Sequence, residues 1–251
     1  MTGSTNADLV AAVAAGSPDR SVLVADVQTA GRGRLGRRWQ APTGTALMFS
    51  VLLRPGSVPV SRWGWVGALL GLAVVAALDE RVPGAGLKWP NDVLLGSRKV
   101  AGVLAEMTGG ALVVGAGINV SLTERDLPRP DATSLVLAGA DRDGLRREVL
   151  LAQVLDAFAP LLDRWQRTAG DIERSGLRQR YLARCTTVGA RVEVQLPDGT
   201  RVVGVATDVA ADGSVVVDDG VVVRRFAAGD VQHLRVGRST ATEGRARGDD
   251  G

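Results

Sequence analysis

The chain has 251 residues, 45% of them hydrophobic and 23% charged, with 30 Lys plus Arg against 27 Asp plus Glu and a formal net charge of +3. That length supports one large domain, or one large and one small, around a sizeable core, in the ordinary composition of a soluble globular protein. The charge is too nearly balanced to argue for a nucleic-acid partner, and a single cysteine excludes an internal disulfide framework.

The chain opens Met-Thr-Gly-Ser-Thr-Asn without the basic and apolar regions of a signal peptide, so a cytoplasmic location is expected. Asn6 to Ala15 carries a short helical pattern, with Ser4 or Thr5 as N-cap and Gly16 as its stop. Val22–Val27 reads as a buried strand, and Ala46–Leu53 as a second, ended by Arg54-Pro55-Gly56. Trp63 to Leu78 is a run of 16 uncharged residues holding three glycines. It falls short of the roughly 20 apolar residues of a membrane span and is expected to be a buried core helix. Leu87–Trp89 and Val93–Leu95 are short strands around a Pro90-Asn91 turn. Gly96-Ser97 leads into Lys99–Met107, and Gly109-Gly110 into Ala111–Val120. Strands returning through two-residue turns run antiparallel, so the centre is an antiparallel sheet with helices packed on it, an α+β architecture. Thr123–Asp143 is a polar, proline-bearing connection. A helix follows from Asp143, with Pro160 expected to kink or break it, and another covers roughly Asp171–Arg184. Val192–Leu196, Arg201–Val209, Ser214–Asp218, Val221–Phe226 and Asp230–Val236 are β-rich runs parted by Pro197-Asp198-Gly199, Asp212-Gly213 and Asp219-Gly220. Together they suggest a small barrel.

Two blocks carry chemistry. Gly31-Arg-Gly-Arg-Leu-Gly-Arg37, continued by Arg38 and Trp39, sets four guanidiniums on a glycine-rich loop. Guanidiniums stay charged and grip phosphate or carboxylate bidentately, so the loop reads as a clamp for a phosphorylated or adenylated ligand. The alternative is a surface loop whose arginines serve solubility. The block satisfies G-x-G-x-x-G, but Pro42 and Gly44 stand where a dinucleotide-binding helix should open. Leu53, Arg54 and Pro55 stand where that fold needs an acid. The second block is Lys88-Trp-Pro-Asn-Asp92, with Lys99 and Gly102 beyond it. Asp92 can orient a lysine, hold a divalent cation, or simply form the turn. Gly115 and Gly117 either admit a flat ligand to the backbone or mark a bulge, and Asn119 can read an adenine edge. Trp39, in a polar loop, suits stacking. His233, the only histidine, lies far along the chain from these blocks, and Cys185 reads as a small buried apolar residue.

Gly3-Ser-Thr-Asn6, Gln28-Thr-Ala-Gly-Arg-Gly-Arg-Leu-Gly-Arg37, Lys88-Trp-Pro-Asn-Asp92, Arg98-Lys-Val-Ala-Gly102 and Gly115-Ala-Gly-Ile-Asn119 together resemble the biotin–protein ligases, from Thr2 to about Val236. The resemblance implies a catalytic domain over 1–186, similar to class II aminoacyl-tRNA synthetases. It implies an SH3-like β-barrel over 187–237, and 238–251 is read as a disordered tail. It also implies two steps: biotin's carboxylate attacks the α-phosphate of Mg-ATP to give biotinyl-5′-AMP, then a lysine of the biotin carboxyl carrier domain of an acyl-CoA carboxylase attacks that anhydride. By position, Ser4, Thr5, Asn6, Gln28, Arg32, Gly33, Arg34, Lys99 and Gly102 would bind biotin. Arg32, Arg34, Arg37, Trp39, Asn91, Asp92, Lys99, Ile118 and Asn119 would hold ATP or the adenylate. Lys99 and Arg34 would be catalytic, and Asp92 is a candidate ligand for Mg²⁺. The family's bifunctional members carry a helix-turn-helix ahead of this domain. Here the first motif begins at residue 3, so a monofunctional enzyme is expected, with no DNA or membrane partner, as a monomer or weak homodimer. Relatives normally carry a strand before that motif, so either the start lies upstream or the sheet lacks an edge. The other readings are a lipoate–protein ligase, whose Arg-Arg-x-Ser-Gly-Gly-Gly block is absent, and a non-catalytic phosphate- or RNA-binding protein.

Overall fold

A computed structural model describes residues 1–196, 199–227 and 230–233. Pro197 and Asp198 of one expected turn, the end of the last expected strand and the expected tail lie outside the described residues. Helix α1 spans Thr5–Ala14, capped by Ser4, whose Oγ accepts from the Ala7 N–H at 3.4 Å. Strand β1 is Val22–Ala25, and β2 is Ala46–Leu53, as expected for the latter. The apolar run begins as a 3-10 turn over Val60–Trp65 and continues as α2, Val66–Asp79. Strands β3 (Ala85–Lys88), β4 (Asp92–Leu95), β5 (Arg98–Thr108) and β6 (Ala111–Asn119) follow, with the Trp89–Pro90 peptide cis. Helix α3 is Arg147–Arg167 and α4 is Leu177–Leu182.

These strands form one antiparallel six-stranded sheet, ordered β1-β2-β6-β5-β4-β3. Period-two alternation sends Leu47, Phe49, Val51 and Leu53 of β2, with Val114, Ala116 and Ile118 of β6, into the main core. There α2 and α3 cover them, through Leu69, Leu70 and Val74 on one helix and Leu150, Val154, Phe158 and Trp165 on the other. Burying each such side chain contributes roughly 1.5–3 kcal/mol, and α2 buries ten residues between Val66 and Leu78. The opposite face is covered only at its ends. Leu9 of α1 packs on Leu52 and Val113, while Ala46, Met48 and Leu122 meet Trp39 and Ala41. Between these patches the sheet is open.

Three expectations need correction. The Val22–Val27 strand is shorter and not buried: β1 is the sheet edge, and Val22 and Val24 are 41% and 46% exposed. Pro160 does not break α3, because burial of Leu150, Val154, Phe158, Leu161, Leu162 and Trp165 on its inner face outweighs one missing N–H. The helix expected over Asp171–Arg184 shrinks to α4. Asp171 Oδ1 accepts the Glu173 and Arg174 N–H groups, and Gly176 takes a left-handed φ of 67°, so a turn precedes it. Ahead of the first motif, Thr2 forms an isolated parallel bridge to Gln28, outside the strands of the sheet.

The C-terminal strands β7 (Arg191–Gln195), β8 (Arg201–Val209), β9 (Val215–Asp218), β10 (Val223–Phe226) and β11 (Asp230–His233) form a second antiparallel sheet, ordered β10-β9-β8-β7-β11. A register shift between Ala206 and Asp208 turns Asp208 toward α4, where both its oxygens accept from Arg178 at 2.5–2.6 Å. Two indoles fasten this sheet to the larger unit: Trp65 donates to the Ala211 carbonyl at 2.7 Å and Trp89 to that of Gly213 at 2.9 Å.

Candidate active site

The open stretch of the large sheet is the floor of a cavity of about 250 Å³. One end is neutral and hydrogen-bonding. Thr5 and Asn6, at the start of α1, are buried with Ser50 of β2. The Thr5 N–H and hydroxyl lie 2.7 and 3.0 Å from Gln28 Oε1, and Ser50 Oγ lies 2.8 Å from Thr5 Oγ1. Asn6 Oδ1 only accepts, so the Ser50 hydroxyl at 2.6 Å donates to it. Asn6 Nδ2 donates in turn to Glu106 Oε2 at 2.8 Å. This arrangement needs Gly115. A Cβ there would stand 2.3 Å from Asn6 Oδ1 and 2.5 Å from Ser50 Oγ.

The other end is cationic, and a β-bulge builds it. Asp92 pairs with Gly102, but Leu94 pairs with Lys99, so β5 carries one extra residue at this point. Regular alternation would put Lys99 and Gly102, three apart, on opposite faces. The bulge restores both to the cavity face, while Val100 and Ala101 enter the core. Lys99 Nζ is ion-paired with Asp92, both side chains less than 20% exposed, and sits 5.8 Å from the centre of the Trp39 ring. The indole lies directly on β6: a Cβ at Gly117 would stand 2.3 Å from its Cε2. Trp39 Nε1 is buried and has no hydrogen-bond partner among the described residues, a donor left for something that enters the cavity.

The arginine loop closes one side. Arg32 bridges Arg38, Gly33 N–H donates to the Arg37 carbonyl at 2.7 Å, and Leu35 and Gly36 turn the tip with φ of 55° and 72°. The expected residues Ser4, Gln28, Arg32, Gly33, Arg34, Arg37, Asn91 and Asn119 all line the cavity. Two of them are partly spent on the fold. Asn91 Nδ2 donates to the Val103 carbonyl at 2.8 Å, and Asn119 Nδ2 to that of Thr133 at 2.9 Å. Ile118 is the correction among the expected ligand residues. Its neighbours Gly117 and Asn119 face the cavity, so alternation sends its side chain into the core, where it is fully buried. Lys88 and His233 lie away from this cavity. The Thr187 hydroxyl accepts from the Trp89 N–H at 2.9 Å and lies 3.1 Å from His233 Nε2. Cys185 is buried, and burial raises the pKa of its neighbour Tyr181.

Sequence reasoning passed over Ser50, Glu106 and the segment Pro128–Ala132, which reaches the cavity because Lys99 N–H donates to the Asp131 carbonyl at 2.7 Å. Ser50 had a signal, being the one polar residue in the apolar run of β2. For the bulge, the signal was the odd spacing of Lys99 and Gly102 within one motif. Chemically, the cavity offers a neutral hydrogen-bonding pocket at one end, ammonium and guanidinium at the other, and an aromatic plate between. Among the described residues no group of three or more His, Cys, Asp and Glu gathers as a metal site, and Asp92 is the one carboxylate beside Lys99.

Comparison with known proteins agrees with this layout. Residues 9–122 match the model of the biotin/lipoate A/B protein ligase family. The chain is 41% identical to a biotin–[acetyl-CoA-carboxylase] ligase of Mycobacterium tuberculosis over 94% of its own length and 87% of that protein's. It is 34% identical to the enzyme of the same name from Paracoccus denitrificans, over 75% of the chain and 80% of the relative. The biotin protein ligase of Aquifex aeolicus in complex with biotin and ATP superposes with a TM-score of 0.75 at 27% identity, covering 93% of this chain and 96% of that one. With 41% identity to a biotin–[acetyl-CoA-carboxylase] ligase over 94% of its length, and with the fold of the Aquifex aeolicus enzyme, the chain belongs to the biotin–protein ligases.

Proposed function

We propose that this chain joins biotin to the lysine of a biotin carboxyl carrier domain of an acetyl-CoA-type carboxylase, through biotinyl-5′-AMP. The observation that carries the reading is the polarity of one cavity, neutral at Thr5, Asn6, Gln28 and Ser50 and cationic at Lys99 and the arginine loop. A neutral ureido ring suits the first end, and a carboxylate meeting a triphosphate suits the second. A carboxylate and a phosphate repel, and bringing them together is the main barrier to adenylation. Lys99 and Arg34 offset that repulsion and stabilise charge as the carboxylate oxygen attacks the α-phosphate and pyrophosphate departs. Asp92 aligns the Lys99 ammonium, Trp39 covers the adenine, and Arg32 with Gly33 folds over the product to keep water from the anhydride. Mg²⁺ would enter as the metal of Mg-ATP and would supply neutralisation of phosphate charge, with Asp92 as the carboxylate that could help hold it. In the second step the carrier's lysine amine attacks the acyl carbon and AMP leaves. On this reading, residues 1–186 would be the unit that performs both steps and 187–237 the smaller domain.

The direct test is incubation with ATP, Mg²⁺, biotin and a carrier domain, followed by the mass of that domain. Gain of one biotinyl group supports the reading, and a gain only with lipoate overturns it. Lys99→Ala is expected to cut biotin-dependent pyrophosphate exchange by roughly 100-fold or more, with an unchanged circular dichroism spectrum. A near-native exchange rate would remove Lys99 from the reaction.

A further inference from the structure

Glu106 lies on β5 beyond Leu104, not in the cavity itself but in an adjoining hollow that it lines with the arginine loop, outside the motifs that define the site. Its two carboxylate oxygens serve different parts of the chain. Oε2 accepts from Asn6 Nδ2 at 2.8 Å, and Oε1 is 3.3 Å from Arg32 Nη1. Asn6 is itself buried and held by Ser50, so one end of this link is rigid. The other end is the root of the arginine loop. A continuous polar chain therefore runs from Gln28 through Thr5, Ser50, Asn6 and Glu106 to Arg32.

We infer that Glu106 is a positioning residue that ties the arginine loop to the neutral end of the cavity, so that filling that end and holding the loop closed are one coupled event. An exposed ion pair by itself contributes little, because ordering two long side chains offsets most of the attraction. Here that cost is reduced, since Asn6 already fixes the carboxylate and only Arg32 needs ordering. A ligand seated on Thr5, Asn6 and Gln28 stiffens the buried half of the chain and so favours the Arg32 contact. The ligand assignment in this inference rests on the ligase reading above; the tether itself does not.

The test has two arms that separate those claims. In the unliganded protein, tryptic cleavage after Arg34, Arg37 and Arg38, sites that both variants below retain, reads how often the loop opens. Glu106→Gln keeps an oxygen for Asn6 but turns an amide toward Arg32, and Arg32→Gln breaks the same contact from the other side. Each is expected to speed cleavage in the loop about fivefold, with the double variant no faster than either single one and cleavage elsewhere unchanged. Additive effects, or no effect, would overturn the tether. In the second arm, Glu106→Gln is expected to raise the KM for biotin in pyrophosphate exchange several-fold while that for ATP and kcat stay near wild type. Equal losses for both substrates, or a loss in kcat alone, would overturn the coupling. Should the wild-type chain fail to bind biotin while the first arm succeeds, the ligase reading falls and the tether stands.

Discussion

At the residue scale the cavity is shaped as much by missing side chains as by those present. Gly117 leaves room for the Trp39 indole, whose Nε1 would lie 2.5 Å from a Cβ at that position, whereas Gly115 leaves room for the Asn6–Ser50 pair. The two glycines are two residues apart on one strand face but serve opposite ends of the cavity, so their substitution separates the ends. Gly117→Ala displaces the aromatic plate and is expected to raise the KM for ATP about tenfold with the KM for biotin nearly unchanged. Gly115→Ala is expected to do the reverse. Pyrophosphate exchange with each substrate varied in turn checks both, and parallel losses in the two variants would show that the ends are not independent. The charged half of this site was legible in the sequence, because arginines on a glycine loop and lysine beside a turn announce themselves locally. Glu106 was not, since its partners lie 100 and 74 residues away. Ile118 was misplaced for a different reason: a contiguous motif was read as contiguous in space, although a strand shows alternate residues to opposite faces.

At the element scale, the antiparallel pairing followed from the short turns and the core helix α2 from its apolar run, whereas the strand order did not show in the sequence, and the errors fell where one local rule competed with tertiary contacts. The register shift in β5 was invisible to a pattern search that treats Lys99–Met107 as uniform, yet it decides which face carries the ammonium. Pro160 is the opposite case, a local breaker overruled by packing. It lies exposed on α3, while Phe158, Leu161 and Leu162 beside it are buried. Because its ring is exposed, alanine would lose little burial there, and alanine restores the N–H that the helix lacks. Pro160→Ala is therefore expected to raise stability by about 1–2 kcal/mol after allowing for the more flexible unfolded chain. That corresponds to a Tm increase of roughly 2–6 °C for a domain of this size, with activity unchanged. A thermal melt showing no increase would mean that the proline is needed for the path of the helix.

At the scale of the whole molecule, what joins the two sheets could not be read from the sequence, because the joining contacts of Trp65 and Trp89 span 146 and 124 residues. His233 belongs to the same junction, and it makes the junction sensitive to pH. Its pKa is lowered from the ordinary 6.5, first by burial of the half-buried ring and then by the charge of Lys88. The folded chain thus binds this proton less readily than the unfolded chain. Between the two pKa values the unfolded state carries more protons, so stability falls as pH drops from above 6.5 toward the folded value. The carboxylates act in a lower window. Asp126, Asp171, Asp212 and Asp219 have pKa values lowered from 3.8 by hydrogen bonds, to the Thr123 side chain for Asp126 and to backbone N–H groups for the others. The stability they contribute is present above that ordinary value and is lost as pH falls through their lowered ones. Acidification should therefore destabilise the protein in two stages. Wild-type Tm is expected to fall as pH drops through the ordinary imidazole value of 6.5, level off below the lowered His233 pKa, and fall again below the ordinary carboxylate value of 3.8. His233→Gln removes the titrating ring and should flatten the first stage while leaving the second. A variant with both stages intact would move the first to another group and detach His233 from the stability of the junction.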